Sequence, residues 1–176
     1  MSLYKEIVTK AVIGKGKKYF KDNYSIDVEN TPSTVLGCWV INHKFKGYKT
    51  NGKVGVNGSY DVNIWYSYDD DTKTAVVNRN ISYDELFNVK LKDNTNLNGD
   101  TDIIIRSLNQ PNCTDIKSDN RTITFDIEKE LGVEIVGDTK VKIAVLEDEE
   151  PWDILDDELN SDDIESINKI DDNFIK

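Results

Sequence analysis

Histidine is all but missing from this chain: His43 stands alone among 176 residues. One imidazole could serve as a base beside a serine or Cys38. Placed after Trp39-Val-Ile-Asn42, it reads instead as a strand-end histidine held by structural hydrogen bonds. Cysteine is nearly as scarce. Cys38 and Cys113 lie far apart, with no CxxC and no paired histidine, so the ligand set of a structural zinc site is not assembled and no metal is expected. The two thiols are expected to be free and mostly buried, as in a reducing compartment. A cross-link between chains and, less favoured, an internal disulfide are the alternatives, and spacing does not choose among them. Long apolar runs are absent too. No stretch approaches the ~18 residues of a membrane span, so no membrane insertion is expected. The opening Met-Ser-Leu-Tyr-Lys-Glu lacks the apolar centre of a signal peptide, and the expectation is a chain made and used in a cytoplasm.

Motifs for catalysis and cofactors are missing as well. Gly14-Lys-Gly16-Lys-Lys has none of the GK[ST] half of a phosphate loop, and no helical pattern follows it. Asp69-Asp70-Asp71 lacks the spaced acceptors and the glycine of an EF loop, and reads as a solvated turn. Among 33 Asp and Glu, no motif selects a pair for glycoside hydrolysis. A non-enzymatic protein without cofactor is the expectation.

Acid is abundant, and it is concentrated. Residues 1–145 hold 20 Lys and Arg against 20 Asp and Glu, whereas residues 146–176 hold 2 Lys against 13 Asp and Glu. The tail therefore carries the whole net charge of −11. With no basic stripe, nucleic acid is not an expected partner. Two parts are expected: a body over residues 1–145 and an acidic tail over 146–176. A body that long buries roughly 68–70% of its unfolded surface, enough for a core without disulfides.

The body has strand periodicity. Tyr60, Val62, Ile64, Tyr66 and Tyr68 share one face, opposed by Ser59, Asp61, Asn63 and Ser67, with Trp65 the large exception. The Asp69–Thr72 turn leads into Lys73–Ile81, completing a long hairpin. Ile123, Phe125, Ile127, Leu131, Val133 and Ile135 share odd parity, and only Lys129 interrupts them. Gly137-Asp138 is expected to turn the chain into a returning strand through Val141, Ile143 and Val145. Weaker strands are Glu6–Ile13, Tyr19–Val28, Thr34–Asn42 and Asp102–Leu108. Gly14-Lys-Gly16, Asn51-Gly52, Asn57-Gly58 and Asn98-Gly99 are expected to punctuate them, with Pro32 and Pro111 in connecting stretches. Seven to ten short-spaced strands and no helical stretch predict an all-β body, an antiparallel sandwich or barrel. Trp39, Trp65 and Tyr66 could form an aromatic sugar platform, but read more readily as core or interface residues.

In the tail, Trp152, Leu155 and Leu159 recur at i, i+3 and i+7, and Ile164, Ile167, Ile170 and Phe174 continue at helical spacing. Mutual repulsion among the carboxylates predicts a flexible or partly helical segment. The expected role is partner binding, with Trp152, Ile154, Leu155 and Leu159 as anchors. Solvation of an adhesive body, or packing back on it, are the alternatives.

Several segments are also similar to a known family. Leu36-Gly-Cys-Trp-Val-Ile-Asn-His-Lys44, Gly58–Tyr68, Asp71-Thr-Lys-Thr-Ala-Val-Val77, Gln110-Pro-Asn-Cys113 and Val133-Glu-Ile-Val-Gly-Asp-Thr-Lys140 resemble the outer spore-coat morphogenetic protein CotE family of endospore-forming bacteria. The opening Tyr4–Gly16 and the acidic terminus resemble it too, the latter in composition and position. The resemblance covers nearly the whole chain. It implies a scaffold without catalytic residues, made in the mother-cell cytoplasm and then part of the spore coat. It further implies self-association, docking on basement-layer proteins and recruitment of outer-coat proteins. The alternative is a carbohydrate-binding β-sandwich using Trp39, Trp65 and Tyr66.

Overall fold

The computed structural model describes residues 3–92, 97 and 100–145. All the regular structure in them is extended: β1 Leu3–Asp27, β2 Thr34–Thr50, β3 Lys53–Tyr68, β4 Lys73–Phe87, the short β5 Lys90–Leu91, β6 Asp102–Asp119 and β7 Thr122–Val145. Two sheets result, one ordered β5-β1-β7-β6 and one ordered β2-β3-β4, with antiparallel neighbours. The all-β, sandwich-like body expected from the periodicity is what the chain forms. Residues Glu6–Val141 make one compact unit in which the two sheets pack, and Leu3–Lys5 and Lys142–Val145 belong to a second. The tail, with Trp152, Ile154, Leu155 and Leu159, lies outside the described residues, as does Asn98-Gly99.

The expected long hairpin is β3–β4. Asp69, Asp70 and Asp71 join its strands with φ of 53°, 52° and 64°, a left-handed conformation that aspartate tolerates better than most residues. Thr72 secures the turn, its amide and hydroxyl donating to the Asp69 carbonyl at 3.1 and 2.6 Å. Asn51 and Gly52 link β2 to β3 with φ of 44° and 73°, as a two-residue type I′ hairpin requires.

Four expected breaks do not occur. Asn57-Gly58 lies inside β3 and stays in register with both neighbouring strands. Gly137-Asp138 is not a turn, because β7 runs through it to Val145. Gly14 and Gly16 lie within β1, where Gly14 pairs with Leu91 of β5. A Cβ on Gly14 would sit 2.9 Å from the Leu91 side chain, and one on Gly137 2.9 Å from that of Ile13. Both glycines thus admit close neighbours instead of bending the chain. Pro111 lies inside β6, not in a connection, between the register shifts that separate Ser107, Asn109 and Asn112. There the missing amide costs no regular ladder bond.

The core has two clusters. Tyr60, Val62, Ile64 and Tyr66 of β3 pack with Ile123, Phe125 and Ile127 of β7 in one. Val54 and Val56 pack with Leu131, Val133, Ile135, Phe20 and Phe87 in the other. The odd parity of β7 is therefore inward, as its sequence predicts. Lys129 keeps that parity and is 0% exposed. Its ammonium lies 2.9 Å from Asp22 Oδ2 and faces the rings of Phe20 and Tyr83, each 4.6 Å away. A charge among apolar groups is tolerated only with such partners.

His43 belongs to the same polar seam, inside β2 and not at its end. Its Nδ1 contacts Gln110 Oε1 at 3.1 Å and its Nε2 contacts the Tyr83 hydroxyl at 2.8 Å. An amide oxygen can only accept, so Nδ1–H donates to Gln110 and Nε2 accepts from Tyr83. Burial lowers the imidazole pKa, outweighing the opposing bond to Gln110, and the Lys129 charge lowers it further. The charged and titratable groups around it are Lys129 from β7 and Tyr83 and Tyr60 from β4 and β3. Protonation is thus easier in the unfolded chain, near the usual 6.5. This contribution to stability is complete above that value and is lost as pH falls below it. Between pH 7.5 and 5.5 the thermal midpoint should fall less steeply for His43→Gln than for the natural chain, at equal protein concentration. Parallel curves would show that His43 does not titrate in this way.

Candidate interaction surface

The two outer faces of the sandwich differ in chemistry. On the four-stranded sheet, Asp126, Glu128, Glu130 and Glu134 of β7 point outward. Lys15 pairs with Glu134 at 3.4 Å, Lys17 with Glu130 at 3.7 Å, and Lys21 with Glu128 and Asp126 at 3.0 and 3.6 Å. Arg106 of β6 reaches Glu134 from the other side at 3.4 Å. Glu128 titrates below the usual carboxylate range because Tyr19 and then Lys21 hydrogen-bond to it. Each exposed pair contributes little to stability, but together they balance charge on a face that also exposes Tyr19, Ile104 and Leu108.

The three-stranded sheet turns a different set outward. Its register aligns Gly37, Trp65 and Val76 in one row, Trp39, Asn63 and Asn78 in the next, and Ile41, Asp61 and Asn80 in a third. Trp39 is 53% exposed and Trp65 43%, and their rings meet edge to face at 6.5 Å and 87°. Leu36, Ile41 and Val76 are exposed as well. The row beneath the indoles is polar: Asn42 and Asn80 donate to Asp61 at 2.8 and 2.7 Å. Those two bonds, that of Asn80 first, lower the Asp61 pKa. Asn42, with φ 56°, sits in the irregular stretch between Ile41 and Lys44, a bulge that aims its amide at Asp61.

Gly37 determines how the indoles lie. A Cβ there would fall 2.6 to 3.1 Å from three ring carbons of Trp39. The Trp39 indole therefore lies back over Gly37, which pairs with Trp65. Two large apolar side chains are thus bedded together on an open face, the composition of a protein contact surface. β4, at the border of this sheet, pairs among the described residues with β3.

A family model described as Outer spore coat protein E (CotE) matches residues 3–176. The chain belongs to the CotE family. No curated protein and no solved structure is found to match it. Membership in the CotE family makes this a spore-coat protein.

The residues singled out in the sequence of this CotE-family chain fall into separate places. Trp39 and Trp65 come together, whereas Tyr66 is 3% exposed on the opposite face of β3. The three do not form one platform, and perpendicular indoles offer no flat floor to a sugar ring. Cys38 and Cys113, free thiols on β2 and β6, also come together. Trp65 was legible as the large residue out of phase with Tyr60–Tyr68. Asp22, the partner of Lys129, and the Asn42–Asp61–Asn80 row were not, because they depend on cross-strand register.

Proposed function

We propose that this chain is a non-enzymatic morphogenetic scaffold of the endospore coat, which self-associates through its body and recruits outer-coat proteins through its tail. The observation that carries the reading is the Trp39–Trp65 pair, two large indoles exposed together on the three-stranded face. Charge supports it. A body with equal numbers of acidic and basic side chains has little electrostatic repulsion from its own copies. The acidic tail favours basic partners, with Trp152, Ile154, Leu155 and Leu159 as apolar anchors. On this reading the chain is made in the mother-cell cytoplasm, docks on basement-layer proteins and holds the outer coat.

Deleting residues 147–176 tests the division of labour. The shortened chain should fold, keep or increase its self-association, and lose capture of outer-coat proteins in spore extracts. Within the tail, Trp152→Ala with Leu155→Ala should weaken capture while leaving its salt dependence intact. Neutralising Asp156, Asp157 and Glu158 should slow association and flatten that dependence. Unchanged outer-coat deposition after the deletion would reduce the tail to a solubility device. The carbohydrate-binding alternative rests on the same exposed indoles. It would be favoured if spore glycans quenched their fluorescence and the chain stayed monomeric.

A further inference from the structure

Cys38 and Cys113 come from different sheets, yet the structure places them side by side. Cys38 pairs in register with Ile64 on β3, and Cys113 with Ile127 on β7. Both pack against the core cluster that contains those two isoleucines. β2 and β6 border their sheets and meet along a common line. His43 touches Gln110, and further along, a Cβ on Gly47 would fall 2.8 to 3.0 Å from Ile103 and Ile105. Advancing along β2 means retreating along β6, and Cys38 with Cys113 lie on this same line. Both thiols are half-buried and free, and the Cys113 Sγ also lies 3.8 Å from the Asp115 carbonyl oxygen.

We propose that Cys38 and Cys113 are a redox pair, closing to an internal disulfide that ties β2 to β6 when the reduced chain meets a small-molecule disulfide. The neighbouring groups set the order of events. The Cys38 thiol lowers the Cys113 pKa, against burial and the nearby carboxylates of Asp126 and Asp115. Cys113 in turn raises that of Cys38. Cys113 is therefore the first thiolate and the attacking sulfur. It attacks one sulfur of the oxidant, the oxidant's S–S bond breaks, and one small thiolate leaves with a mixed disulfide on Cys113. Cys38 then gives up its proton and attacks the Cys113 sulfur, expelling the second small thiol. Two electrons and two protons pass from the cysteines to the oxidant, and one intramolecular S–S bond is formed. The outcome differs from a cross-link between chains: both half-cystines belong to one molecule, and the bond spans the open side of a sandwich whose sheets are otherwise held there by side chains.

The test uses the full chain, reduced and then exposed to oxidised glutathione. The expected product has lost both titratable thiols and two hydrogen atoms of mass, carries no glutathione, and yields a peptide pair joining residues 38 and 113. Its urea midpoint should lie above that of the reduced chain. Cys38→Ser should stop at the first step, with one glutathione on Cys113. Disulfide-linked dimers, a stable glutathione adduct on the natural chain, or two thiols that stay reduced under conditions that oxidise glutathione-exposed surface cysteines would each overturn the proposal. Should Cys38→Ser fail to fold, the natural chain's mass and peptide linkage still decide.

Discussion

If the chain self-associates through its aromatic face as proposed, changing Trp39 and Trp65 to alanine together is expected to leave a folded monomer. Both indoles are exposed in the single chain, so their loss costs the fold little; substitutions away from structural features usually stay within about 0.5 kcal/mol. Their loss at a contact is another matter. A tryptophan at the centre of a protein interface commonly accounts for about 2 kcal/mol or more on truncation, roughly a 30-fold weaker association. Sedimentation over a range of concentrations measures this directly. Gly37→Val offers a test that leaves both indoles in the sequence. The added side chain must displace the Trp39 ring from its bed, so association should weaken while the melting transition stays cooperative. If the double variant assembles like the natural chain, the aromatic face is not the contact, and the outer border of β4 becomes the site to examine.

The second large effect concerns the buried ammonium. Asp22→Ala removes the carboxylate 2.9 Å from Lys129 Nζ, leaving a charge with no counterion in the middle of the sandwich. Breaking a buried pair from one side typically costs about 3 to 5 kcal/mol. Asp22 is itself partly exposed, and the rings of Phe20 and Tyr83 remain over the ammonium, so the lower end, about 3 kcal/mol, applies. Lys129→Met keeps the length of the stem and removes the charge, and should change stability by less than the loss of Asp22. In the Lys129→Met background, Asp22→Ala should become nearly silent. Urea midpoints of the four chains form the cycle, and equal effects of Asp22→Ala in both backgrounds would show that the pair is not coupled.

The parts of the fold that could be read from the sequence are those governed by period 2. Ile123 through Ile135, with Lys129 the one polar member, and Tyr60 through Tyr66, with Trp65 out of phase, are buried on that alternation. Glycine was ambiguous. Gly52 sits at a true turn, while Gly14 and Gly137 lie inside strands where a neighbouring side chain crosses the backbone, and single-chain reasoning gives both the same signature. Lys129 looked like an interruption because its counterion is distant in sequence and adjoins it only once β1 lies beside β7. The surface pair was half legible. Trp65 stood out of phase, but its meeting with Trp39 depends on the offset between Val35 and Gly37. The thiol pair required knowing that β2 and β6 border different sheets on the same side, which no spacing encodes.

The unlikeness of the two outer faces constrains how copies can be arranged. A contact in which the same patch serves both molecules is related by a twofold axis and closes after two. Face-to-face union of the indole patches, as proposed above, would therefore use them up and leave the four-stranded sheets on both outsides of the pair. Continued growth then has to proceed sideways, through strand borders, where a repeated head-to-tail step does not close on itself. Under those two rules, copies joined as proposed would form a layer one pair thick and extensive in its plane, presenting the same four-stranded sheet to the compartments on either side.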